Sequence, residues 1–415
     1  MAVANKRGLL KKTEVSRRSK HINAILMLLF FTSTDTVLFG TNSNYRFLFI
    51  PRIVGLSVCI LLPIILNKGR IRIDKRLFLC AVMVLMIATS AIINQGKIGT
   101  IVSRIIPVCV ACSIAMYCTL DEFASVFCKF VYIVSVIALL MEAISYVFPM
   151  LIYSMPSVIN TSGYRFATCF LGSIRISDLS KVFIRSNGIF WEPGAFAVYL
   201  NFAIFFQLII LKQHKLSRLF IYLIALSLTF STAGYICFIF LMVVFIPFSN
   251  SSKSHLKLKR TMLFLTFIAV VIICSSPEIM SLLFGKITNQ ESTTVVRWFS
   301  FLGGFKIALN TPFTGVFSNN ISDTMQSIAA ASGGMLTNTW SYQFAAYGIP
   351  FGALFTFCSY KFFSKIEKNI VSTVGFFTFL LLSYVGEMFF SFIPFIFVFY
   401  GLRETNENNS NKFSA

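Results

Sequence analysis

Arg185 and Glu192 lie seven residues apart in the stretch Ile184-Arg185-Ser186-Asn187-Gly188-Ile189-Phe190-Trp191-Glu192-Pro193-Gly194, directly ahead of an apolar run. Only 12% of the residues are charged, so a cation and a carboxylate at the mouth of an apolar helix mark a site. Pro193 and Gly194 set the loop-to-helix transition, because proline has no N–H to lose at a first helical position. Glu192 then sits near the positive end of that helix. Two roles are open to its carboxylate: acting on a hydroxyl as general base or orienting acceptor, and capping the helix.

Two long polar segments, 149–192 and 278–343, carry most of the remaining candidates. The first supplies Arg165, Arg175, Asp178, Lys181, Arg185 and Glu192; the second supplies Glu278, Lys286, Glu291, Arg297, Lys306 and Asp323. Guanidinium binds phosphate groups bidentately, and its charge would stabilise a departing pyrophosphate. Contact with lipid headgroups and local ion pairing are the other uses of such cations. Trp191, Trp298 and Trp340 suit either stacking on sugar faces or an interfacial aromatic belt. Asp35, Glu142 and Glu387 lie in or beside apolar runs, where a charge costs roughly 2.5 to 3.5 kcal/mol. Each therefore faces a bundle interior or the external surface, or belongs to an ion pathway.

The elements that must position these residues follow from composition. With 56% hydrophobic residues, a mean hydropathy of +0.79 and 48 phenylalanines in 415 residues, the chain is too apolar for a soluble domain. Its net charge of +21 points to no nucleic acid, because the basic residues cluster in short gaps between apolar runs, as cytoplasmic loops of membrane proteins do. The fold class expected is an all-α polytopic membrane protein with about twelve crossings, one domain and both termini cytoplasmic.

The basic tail 1–21 precedes a first helix at Ile22–Gly40 that reads as retained, not as a cleaved signal. Further helices are expected at Phe47–Leu66, Leu77–Ile93, Ile101–Cys118, Ala124–Phe148, Pro193–Leu211, Leu219–Phe230, Ala233–Phe248, Met262–Cys274, Phe344–Tyr360, Ile370–Tyr384 and Phe389–Leu402, followed by the tail 403–415. This count puts the loops 149–192 and 278–343 outside, where glycines and tryptophans with few charge runs suggest order. The ten cysteines are read as free thiols. The three histidines, His21, His214 and His255, are all cytoplasmic in this topology. Cys109 and Cys112 are spaced CVAC but lie in an apolar run and are read as buried thiols. No external His/Cys/Asp cluster has metal-ligand spacing and no Walker, Rossmann or GxSxG pattern occurs, so neither metal nor cofactor is expected.

Several stretches resemble known motifs. Arg185 to Tyr199 is similar to the "R-S-x-G-x-F-x-E-P" signature of bacterial O-antigen and capsule polymerases of the Wzy type. Arg297-Trp298 through Asn310-Thr311-Pro312-Phe313-Thr314-Gly315 resembles a pattern these polymerases share with O-antigen ligases. Thr337-Asn338-Thr339-Trp340 and Tyr347-Gly348-Ile349-Pro350-Phe351-Gly352 resemble their "H-N...Y...G..G" block. Leu228 to Gly234 is a loose version of their "L-T-x-S-R-G" turn. Thr337 stands where the ligases carry histidine, which favours polymerase over ligase, and Thr232 where the turn often has arginine.

The resemblance implies a GT-C-like fold in the bacterial inner membrane, with the active site facing the periplasm. It also implies metal-independent transfer of a growing glycan from undecaprenyl pyrophosphate onto a lipid-linked repeat unit. The implied partners are undecaprenyl-pyrophosphate-linked oligosaccharide, membrane lipids and a chain-length regulator. On that reading Arg185 and Arg297 hold the pyrophosphate and Glu192 serves the acceptor hydroxyl. Arg165, Arg175, Lys306, Asn338 and Trp191 complete the binding set. A flippase for the same lipid-linked glycan, a ligase and a structural membrane subunit are the competing readings.

Overall fold

A computed structural model describes residues 18–41, 43, 49–70, 73–181, 183–213, 215–248, 293–328 and 336–402. The expected helix Met262–Cys274, most of both tails, and parts of the second long loop lie outside these residues. The fold is mostly helical. In chain order the helices are α1 (18–31), α2 (Ile50–Asn67), α3 (Lys75–Ile93), α4 (Ile98–Tyr117), α5 (Leu120–Val147) and the short α6 (Pro149–Ser154). Then come α7 (Pro193–Phe205), α8 (Leu216–Leu228), α9 (Thr232–Phe248), α10 (Thr293–Asn310), α11 (Phe317–Ile328), α12 (Thr339–Tyr347), α13 (Ile349–Ile366), α14 (Ile370–Gly386) and α15 (Ile393–Gly401).

Among the described residues, five apolar helices are long enough to cross a membrane: α2, α3, α4, α5, and α7 with its π-helical continuation to Ile210. This makes the chain a helical membrane protein. α7 is buried on every side, the condition of a helix that is apolar all round and sits at the centre of a bundle. Phenylalanines fill the space around it. Phe206 stacks on Phe397 at 6.0 Å, and Phe127 stacks on Tyr199 at 5.6 Å.

Several boundaries differ from expectation for local chemical reasons. The first helix stops at residue 31, not at Gly40, because Thr32, Ser33 and Thr36 use their side chains on nearby backbone and turn the chain. α5 begins one turn earlier than Ala124. Thr119 and Glu122 form a reciprocal capping box, so Asp121 and Glu122 belong to the helix's first turn. The expected helix Phe344–Tyr360 is two helices, α12 and α13, broken at Gly348. The last helix starts at Ile393 rather than Phe389, is only nine residues long and wholly buried, and the chain enters it through the non-helical segment after α14. The loop expected over 278–343 contains α10 and α11.

The first long loop is not purely irregular either. It carries a three-stranded antiparallel sheet, β1 (Ser157–Ile159), β2 (Arg165–Thr168) and β3 (Ser173–Arg175), in the order β1-β2-β3. The β1–β2 turn closes because the Asn160 carboxamide accepts from the N–H groups of Ser162 and Tyr164 while Gly163 takes a φ of +80°. One face of the sheet, through Val158 and Phe166, packs on Val37 and Trp191. The other, through Ala167 and Ile174, packs on Met141 of α5. The turn after α1 joins the same assembly: the Val37 N–H donates to Ile189 and the Thr161 N–H to Thr41.

A second corner is built from Pro312 to Gly315 and the α12–α13 break. Gly315 and Gly348 have φ of +63° and +88°. A Cβ at Gly348 would come within 2.6 Å of the Phe313 carbonyl, while the Ile349 N–H donates to Pro312 at 2.7 Å. With ψ of 171° Gly348 occupies a region open essentially only to glycine, so Gly348→Ala should cost about 1–3 kcal/mol, plus the overlap. A thermal unfolding transition in detergent that is unchanged by this substitution would contradict the description of this corner.

Candidate functional site

The Arg185–Gly194 stretch is held by hydrogen bonds from several elements. The Ser186 N–H donates to Leu228 at the end of α8, and the Ser173 N–H donates to Gly188. Asn187 donates to Ser173 Oγ at 2.7 Å and to the Phe190 carbonyl at 3.0 Å. Phe190 inserts beside Tyr199 of α7, with ring centroids 4.2 Å apart. Tyr199 in turn donates to Asp35 at 2.8 Å. Asp35, Glu142 and Glu387 are all buried.

At the start of α7, three charged side chains converge. Arg297 Nη2 lies 2.9 Å from Glu387 Oε1 and 3.8 Å from Glu192 Oε1. Glu192 is the residue preceding α7, yet its side chain makes no capping bond, so helix capping does not occupy it. Burial raises the Glu387 carboxyl, the Glu192 carboxylate adds to the rise, and Arg297 opposes it. Gly194 explains part of this convergence: a Cβ there would overlap Glu387 Oε1, so only glycine lets the carboxylate lie against the helix.

Two cavities meet at this cluster. The first, about 760 Å³, and the second, about 570 Å³, share Asn160, Ser162, Trp191, Glu192, Arg297 and Glu387 in their walls. The second cavity adds Arg175 and Arg185. Arg185 donates through Nε and Nη2 to the carbonyls of Thr229 and Phe230, at 3.2 and 3.3 Å. It thus satisfies backbone oxygens where α8 breaks from α9, while its cavity face remains. Burial draws its guanidinium down from the usual value, and Glu192, Asp178 and Glu387 draw it back. Arg175 lies flat on Tyr164, its guanidinium carbon 3.2 Å from the ring centroid.

Of the residues singled out from sequence, Glu192, Arg185, Arg297, Arg175 and Trp191 come together. Three do not. Arg165 is exposed on the sheet and donates to Ser157 across it. Lys306 follows Arg297 by nine residues on α10, which turns it to the opposite side of the helix, and it is exposed. Asn338 is buried as the N-cap of α12, its Oδ1 accepting from the Ser341 N–H. Thr337, just before it, lines the first cavity and hydrogen-bonds Ser300.

Arg52, Arg104 and the pairing of Glu387 with Arg297 were not read from the sequence. The signal for each was an ionisable residue within or beside an apolar run. Among the described residues no group of three His, Cys, Asp or Glu side chains could hold a metal ion, and the nine described cysteines are free. Comparison with known proteins finds no matching family model, no matching curated protein and no matching solved structure.

Removing Glu387 would leave Arg297 largely buried beside a single, more distant carboxylate. Glu387→Ala is expected to destabilise the protein by about 3–5 kcal/mol, the usual cost of breaking one side of a buried ion pair. Gly194→Ala should lower stability in the same sense, by about 1–3 kcal/mol, through overpacking against the carboxylate. Unfolding midpoints of the purified variants in detergent test both, and an unshifted Glu387→Ala midpoint would contradict the pairing.

Proposed function

We propose that this chain is a surface-polysaccharide polymerase resembling the Wzy type, a GT-C-like membrane glycosyltransferase. It transfers a growing glycan from undecaprenyl pyrophosphate onto a lipid-linked repeat unit at the external, periplasmic face of the bacterial inner membrane. The observation that carries this reading is the junction of two cavities at Glu192, Arg297 and Glu387. A polymerase must hold two large lipid-linked substrates with their reacting ends together, and two chambers sharing one charged wall suit that need.

The chemistry follows from the positions of the charged groups. The acceptor hydroxyl oxygen attacks the anomeric carbon of the donor glycan, and its proton passes to Glu192, whose carboxylate is half-exposed and lines both cavities. The bond from that carbon to the pyrophosphate oxygen breaks. Undecaprenyl pyrophosphate leaves with the electron pair, its charge held by Arg185, Arg297 and Arg175 in the second cavity. Glu387 is a positioning residue, since its carboxylate aims Arg297. No step uses a metal.

The reading includes about twelve crossings with both termini cytoplasmic, and membrane lipids and a chain-length regulator as partners. Thr337 at the cavity wall supports polymerase over ligase, because it occupies the place of the ligase histidine in the resemblance.

Deleting the gene should reduce surface polysaccharide to lipid core plus a single repeat unit, seen as loss of banding on a gel. Long lipid-linked chains without transfer to the core would indicate a ligase, and repeat units held on the cytoplasmic leaflet a flippase. In the complemented strain, Arg185→Ala or Arg297→Ala should lower polymer formation by about 10²–10³-fold, the scale for losing one charge-stabilising donor. Normal chain length from both variants at normal protein level would overturn the assignment.

A further inference from the structure

The first cavity carries two arginines that the transfer reaction described above does not use. Arg104, on α4, lies with its guanidinium carbon 3.9 Å from the Phe390 ring centroid and 5.4 Å from that of Tyr342. Its Nε and Nη2 both donate to Ser318 Oγ, at 3.2 and 2.8 Å. The aromatic rings and the hydroxyl fix the planar group in one orientation without neutralising it. Arg52, near the start of α2, leans toward the first turn of α4: its Nη1 lies 3.8 Å from where a Cβ on Gly99 would be. Both arginines line the first cavity, and among the described residues neither forms an ion pair with a carboxylate.

Two half-buried cations in one cavity wall of an apolar bundle need an anion. Glu192 and Glu387 do not supply it, because both are gathered around Arg297. The surroundings specify what sort of anion fits. From Arg52, α2 continues with exposed Ile53, Leu56, Ile60 and Ile64, an apolar stripe at helical spacing that suits a hydrocarbon chain. On the cavity side, hydroxyls of Ser33, Thr34, Ser103 and Ser318 line the wall, which suits a glycan. A diphosphate placed between stripe and cavity would have its lipid on one side and its sugars on the other.

We infer that Arg52 and Arg104 bind the diphosphate of the acceptor, the second lipid-linked substrate, in the first cavity, while the donor diphosphate occupies the second. This assignment rests on the polymerase reading. It deepens that reading by giving the two substrates separate phosphate sites on either side of Glu192, so the acceptor's sugar end reaches the carboxylate that takes its proton.

The test is binding of undecaprenyl diphosphate to the full-length protein in phosphatidylcholine nanodiscs, counted by native mass spectrometry. Two molecules should bind per chain. Arg52→Gln with Arg104→Gln should weaken one of them by at least about tenfold, the scale of losing charge-assisted hydrogen bonds. Arg185→Gln with Arg297→Gln should weaken the other. Should the Arg104 substitution prevent folding, Arg52→Gln alone carries the test, since among the described residues no hydrogen bond holds the Arg52 side chain; several-fold weakening is expected.

One bound molecule that depends on Arg185 and Arg297 and ignores Arg52 and Arg104 would overturn the second site and leave the polymerase reading standing. Equal displacement of the Arg52-dependent molecule by phosphatidylglycerol would also overturn it, because the site would then take ordinary phospholipid headgroups. Absence of any binding to the unmodified protein would remove both.

Discussion

The contact on which the cavity junction depends is the ion pair between Arg297 and Glu387. Neither partner comes from the loop that carries Glu192. Arg297 projects from α10, and Glu387 follows the last residue of α14. Two charges in a largely desolvated place hold one another at a fixed distance, since separating them would strand at least one in a medium that solvates it poorly. With Glu192 3.8 Å from Arg297, the pair brings together three parts of the chain that are far apart in sequence. Glu387 also ties this point to α12, since its carbonyl accepts from both the backbone and the hydroxyl of Thr339.

Around this pair, the backbone is shaped by residues with little chemistry of their own. Gly194 lets the Glu387 carboxylate approach α7, and Pro193 begins the helix there. The Asn187 amide nitrogen holds its own loop, and Phe190 anchors that loop to the core through Tyr199. The stretch that looks like a catalytic signature is thus mostly a scaffold. Its two charged members line the cavities together with Trp191 and Asn187.

The helical architecture and the central place of the Arg185–Gly194 stretch were legible in the sequence, because apolar runs and isolated charges are strong local signals. So was the break between α8 and α9, which Ser231 and Thr232 announce. What was not legible depended on competition between local effects or on contacts distant in sequence. Carboxylates at Asp121 and Glu122 look like loop residues until the Thr119 cap is seen to draw them into α5. The strands β1 to β3 are too short to show a clear alternation. Asn338 reads as a binding residue within a motif, and the capping of α12 by its side-chain oxygen is a contact the motif does not show. Arg104 is not legible as a site residue because its aromatic partners come from α12 and from the segment after α14, and no spacing rule within α4 points to them.

The turn after α1 has a consequence for how the protein is made. Ser43 bonds to Ile159 across 116 residues of sequence, and Val37 bonds to the carbonyl of Ile189. During synthesis the first helices emerge and insert long before these partners exist. Until the chain has grown past Ile189, the Val37 N–H lacks this acceptor. The contacts that tie the turn after α1 to the first long loop can therefore form only after the early helices have been made.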